Sequence, residues 1–145
     1  MRDSDNAKAL LQADNYSCVL CKGEIVYTSI LSGVAPMVDF IRSGIDLSGF
    51  SAADKIVGKA AAMLFVLAGV IDVYAPVMSA HALEVFSKHK IRYTHDTLTE
   101  VVVNRAGTGS CPMELAVKDI NDPRDAFEAI LQTQEFLKRL GRETK

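Results

Sequence analysis

Cysteine is scarce in this sequence: Cys18, Cys21 and Cys111 are all it has. An odd count argues against a disulfide-built scaffold and points to free thiols in a reducing cytoplasm. A basic surplus is missing too, since 16 Lys and Arg stand against 18 Asp and Glu, a formal net charge of −2. Duplex binders draw most of their affinity from neutralising phosphates, so no nucleic-acid partner is expected. The longest charge-free run, between Lys59 and Asp72, is shorter than the ~20 apolar residues that cross a bilayer, and Gly69 interrupts it. No membrane partner is expected. Met1 to Asn15 is polar and acidic, with no basic segment leading into an apolar one, so the chain reads as untargeted and cytoplasmic. Internal repeats, low-complexity stretches and linkers are absent as well.

What remains has the make-up of a globular chain. Its 145 residues are 49% apolar and 23% charged, which suits one domain spanning 1–145. The pattern predicts a short helix over residues 4–13 with Ser4 as its N-cap. Two β-rich runs, Tyr16–Cys21 and Glu24–Ser29, flank Lys22-Gly23 and predict a hairpin. Gly33 to Pro36 opens a helix that Gly44 ends, proline being tolerated in a first turn. Ser51, with Asp54 three residues on, predicts the start of a long helix reaching Leu67. Beyond Lys59 that helix is apolar on every face, so it belongs between layers.

Gly69 ends the long helix. Val70–Tyr74 reads as a strand closed by Pro76, Ala80–Lys88 as a helix capped by Ser79, and Ile91–Tyr93 as a second strand parallel to the first. Thr97 to Glu100 reads as a capping box opening a helical turn or two over Leu98–Asn104, although the valines there also suit a strand. Cys111-Pro112 and Asp122-Pro123 open two more helices, the last with Ala126, Phe127, Ile130, Leu131 and Leu137 on its inner stripe. The expected fold is α/β: a mixed sheet of about four strands, an antiparallel hairpin beside a parallel pair, with helices on both faces.

Three stretches carry a family resemblance: Gly23-Glu-Ile-Val-Tyr27, Asp54-Lys-Ile-Val-Gly-Lys-Ala-Ala-Ala62, and Asn104-Arg105 with Cys111-Pro-Met-Glu114. From the hairpin to about Asp122 the chain resembles the DUF1893 domain, an uncharacterised bacterial family. The element order is similar to the cytidine-deaminase-like fold, with a leading helix, a hairpin, a central helix and then strand–helix–strand. That resemblance implies the fold and a ligand cleft at the start of the central helix. It brings no settled reaction.

Deaminases of that fold use zinc, held by one His and two Cys, with a Glu that shuttles protons. Their His-x-Glu is missing from Ser51–Lys59, and Val77–His81 has no Cys, so zinc chemistry of that type and a metal site are not expected. Cys18-x-x-Cys21 lacks the second pair that structural zinc requires. A period of two sets these cysteines on opposite faces of a strand, as buried hydrophobes. His81, His89 and His95 show no ligand spacing; His89 reads as a helix C-terminal cation and the others as surface groups. No cofactor is expected.

Two helix starts carry unusual chemistry. Asp54 and Gly58, four apart, would share a helix face, and glycine inside a helix costs about 1 kcal/mol against alanine. That cost suggests a close approach of a polar or anionic ligand, with Lys55 or Lys59 as charge partner. The plainer reading is a helix–sheet contact at Gly58 and a capping carboxylate at Asp54. The second start is Cys111-Pro-Met-Glu114, where the helix dipole and nearby Arg105 would favour a thiolate. The plainer reading there is a buried, weakly capping cysteine.

The favoured function is binding of a small polar or anionic molecule at the central helix start, with Asp54, Lys55, Gly58, Lys59, Arg105, Cys111 and Glu114 around one common cleft. The alternatives are a cysteine-dependent enzyme using Cys111 and a non-catalytic interaction or dimerisation protein, with a homo-oligomer as one form of it.

Overall fold

A computed structural model describes residues 2–100 and 111–143. Its elements run α1 (Asp3–Ala13), β1 (Cys18–Lys22), β2 (Ile25–Ser29), α2 (Ala35–Arg42), β3 (Ser51–Asp54), β4 (Ile56–Val57), α3 (Lys59–Ala68), β5 (Asp72–Ser79), α4 (Ala80–Lys88), β6 (Arg92–Thr99), α5 (Pro112–Val117) and α6 (Pro123–Glu143). One mixed sheet contains all six strands. β1 lies antiparallel to both β2 and β3, and β5 lies parallel to β3, β4 and β6. Ser51 faces Asp72 and Ile56 faces Val77, the same offset, so β3 and β4 form one strand broken at Lys55. The break falls opposite Pro76, which has no N–H to give a ladder. Val77 N–H then reaches the Lys55 carbonyl at 3.3 Å and the pairing resumes.

The period of two sorts the core. Cys18, Leu20, Ala52, Val73 and Ala75 face a large cluster shared with α2 to α6. Val19, Cys21, Ala53 and Tyr74 face the other way and are covered by Ala7 and Leu11 of α1. Cys18 and Cys21 are thus buried on opposite faces, and helices cover both sides of the sheet. In the helical layer α3 packs against α2, α4, α5 and α6, and its residues Ala60 to Phe65 are buried. It ends at Gly69, whose φ of +84° strains any other residue and where a Cβ would stand only 3.1 Å from the Ser48 Cα.

Several boundaries differ from the sequence-based expectation. The long helix does not begin at Ser51: Ser51–Asp54 and Ile56–Val57 are strands, which raises the count from about four to six. Alanine favours helix, but Ser51 to Asp54 are all buried and paired with β1, Ser51 to Ala53 also with β5, and tertiary context overrides so weak a preference. Gly58 is therefore the extended N-cap of α3 rather than an interior helical glycine, and Asp54 shares no helix face with it. β5 runs on through Pro76, and β6 extends to Thr99, where Thr97-Leu-Thr was expected to open a helix. The remainder of that expected helix, and Arg105, lie outside the described residues. Ser79 caps α4 as expected, its Oγ accepting from Ala82 N–H at 3.1 Å.

Candidate functional site

Parallel strands β3–β4 and β5 run toward the end of the sheet where α3 begins. β1 enters and β2 leaves the antiparallel half at the same end. A cleft of about 1010 Å³ opens there. Its walls come from the approach to β1, the β2–α2 connection, the Asp54–Gly58 segment, the first turn of α3, the start of α5 and one side of α6. Strand C-terminal ends are where open α/β sheets hold ligands, because the connections diverge there.

Asp54 ends β3 and is only 6% exposed. It stands two residues beyond Ala52, on the face that packs against α2 to α6, directly opposite Cys18 of β1. Burial pushes its carboxyl up to about 8, although the backbone N–H groups of Ile56 and Lys55 pull it down. At neutral pH this group is therefore mostly protonated, able to donate one hydrogen bond and accept others. The Cys18 thiol is raised well above its ordinary value, first by burial and then by the charge of Asp54. Lys55, in the strand break, is exposed at the rim, and its backbone N–H donates to the Ser17 carbonyl at 3.2 Å.

The two segments flagged in the sequence meet. Glu114, in the first turn of α5, reaches across to the start of α3: Oε1 accepts from Lys59 N–H at 2.7 Å and Oε2 from Ala60 N–H at 2.8 Å. These are orphan amides of a helix N-terminus, where the dipole favours a carboxylate. The position expected to hold an anion is thus filled by the protein's own Glu114. Lys59 does not serve as a charge partner in this cleft. Its Nζ turns away and donates to the Lys118 carbonyl at 2.9 Å.

Cys111 is the N-cap of α5, half-buried, and lines the cleft with Pro112, Met113 and Glu114. None of the three histidines lines it. His95, expected on the surface, is half-buried in β6 with its Nδ1 unpartnered among the described residues. Sequence reasoning missed the cleft's far walls. Ile30 and Val34 come from the β2–α2 connection, Ala35 from the start of α2, and Gln134 and Leu137 from α6. Ile30 and Leu31, two apolar residues in a connection, were the one readable signal, and Ile30 lines the cleft. Their meeting with Asp54 is set by the sheet order, which no local pattern encodes.

The first turn of α3 is Lys59-Ala60-Ala61, and that of α4 offers His81 alone. Among the described residues no three His, Cys, Asp or Glu side chains are grouped to share an ion. No helix among the described residues is long and apolar enough to cross a membrane.

A family model described as a domain of unknown function, DUF1893, matches residues 6–137. A solved DUF1893 family protein from Thermotoga maritima superposes with a TM-score of 0.81 at 25% identity, covering 88% of this chain and 87% of that one. A diaminohydroxyphosphoribosylaminopyrimidine deaminase/5-amino-6-(5-phosphoribosylamino)uracil reductase from the same organism overlaps 55% of this chain and 28% of its own, at 17% identity and a TM-score of 0.40. No curated protein sequence matches the chain.

Proposed function

Because the chain belongs to the DUF1893 family, a domain with no assigned reaction, we propose that it binds a small, uncharged polar molecule in the cleft before α3. The order of hairpin, broken strand, buried central helix and strand–helix–strand supports reading the scaffold as deaminase-like. The observation that carries the proposal is Asp54: a buried carboxyl, mostly protonated at neutral pH, lining a cleft of about 1010 Å³. Exposed Ile30, Ile56 and Leu137 edge the same cleft with apolar surface. A few fixed polar groups within apolar walls are the usual make-up of a small-molecule site.

The ligand's charge follows from what surrounds it. Glu114 already occupies the two amides that would attract an anion, and it adds a carboxylate to the wall. A ligand with both a donor and an acceptor complements a protonated carboxyl. Titration with neutral, anionic and cationic fragments, followed through the methyl NMR signals of Ile30, Ile56 and Leu137, tests this. Neutral fragments should give saturable shifts that survive in Asp54→Asn and weaken in Asp54→Ala. A preference for anions, or equal binding by both variants, would overturn the assignment.

A further inference from the structure

A second cavity, of about 270 Å³, lies on the other side of the α3 start, between α3, α4 and the α5–α6 connection. Three lysines from three elements converge on it: Lys59 of α3, Lys88 of α4 and Lys118, the C-cap of α5. His81, His89 and the Asn121 amide complete the polar lining, and Glu84 is its one acidic residue. Among the described residues its charged lining is thus three lysines and one glutamate.

Two details argue against a merely solvated surface. Lys59 stands at the first position of a helix, where the dipole opposes a cation. Its ammonium is nevertheless held at this cavity by the Lys118 carbonyl, beside a second lysine. His89 caps the C-terminus of α4, yet its Nε2 is buried and meets no hydrogen-bond partner among the described residues. A buried polar atom without a partner is uncommon, and His89 is one of the residues that line this cavity.

We propose that this cavity binds a phosphate-class oxyanion, free or as the phosphate of a small ester. Such a group carries charge and several acceptor oxygens, which matches converging ammonium, amide and imidazole donors. The proposal is independent of the cleft beside Asp54, because Lys59 is directed away from that cleft and Glu114 fills the helix amides between them.

The test is an NMR titration of the whole protein at constant ionic strength, chloride being exchanged for inorganic phosphate and, separately, for glycerol 3-phosphate. The readouts are the His89 ring and the Asn121 side-chain amide signals. Both probes should saturate. Equal affinities would indicate recognition of the free oxyanion, and tighter binding of glycerol 3-phosphate would indicate an ester. Lys88 and Lys118 are exposed, so Lys88→Gln and Lys118→Gln should fold and weaken binding by about threefold or more. Lys8→Gln, on α1 across the sheet, should bind like the parent, since general attraction to the surface is not what is measured. Failure of both probes to saturate, or an equal loss in Lys8→Gln, would overturn the site.

Discussion

Burial, not a neighbouring charge, sets the protonation of Asp54. The folded chain holds that proton up to about pH 8, while an unfolded aspartate releases it near its ordinary value of 3.8. Between those values the folded state binds more protons, so stability falls as pH rises. The contribution is complete below the lower value and is lost as the upper one is passed. Asp54→Asn keeps the shape without the titration. Its urea-unfolding free energy should gain on the parent steadily across this window. Parallel curves for the two proteins would show that Asp54 ionises normally in the fold. The sequence singled out this residue as a ligand-binding candidate at a helix start, with a helix cap as the plainer reading. Its actual environment, the end of a buried strand opposite Cys18, depends on which strand β1 pairs with.

At the scale of elements, α3 begins on a carboxylate supplied from 54 and 55 residues further along the chain. Gly58, its N-cap, has no side chain to do this, so Glu114 takes the capping role. Glu114→Ala should lower stability by about 1–2 kcal/mol, in the range of a lost N-cap. Glu114→Gln, which retains an acceptor without the charge, should lose less. Unfolding midpoints at unchanged denaturant slope measure both. An alanine variant as stable as the parent would mean that the α3–α5 contact does not operate in solution. The buried body of α3 was legible from its all-round apolar surface, and its end from Gly69. Its start was not. Ser51 to Asp54 carries residues compatible with a cap and first turn, and only pairing with β1 and β5 makes it a strand.

For the whole molecule, the donor chemistry leads to a prediction about metal. One imidazole in the first turns of α3 and α4 falls short of the three or four ligands that hold zinc. Elemental analysis of purified protein should find no stoichiometric zinc, and a chelator should leave the unfolding curve in place. One tightly held zinc per chain would require a donor set formed otherwise. By itself the sequence determined the α/β class, the hairpin, the parallel β5–α4–β6 unit and the opposed faces of Cys18 and Cys21. These are local matters: periodicity, turn glycines, prolines in first turns, capping residues. The tertiary structure alone decided that Asp54 ends a strand, that Glu114 rather than a ligand meets the α3 amides, that Lys59 points into a second cavity, and that Ile30 and Leu137 line the first. Each of these depends on which distant elements come into contact, and a chain's local preferences are too weak to specify that until burial and pairing across the sheet select one arrangement.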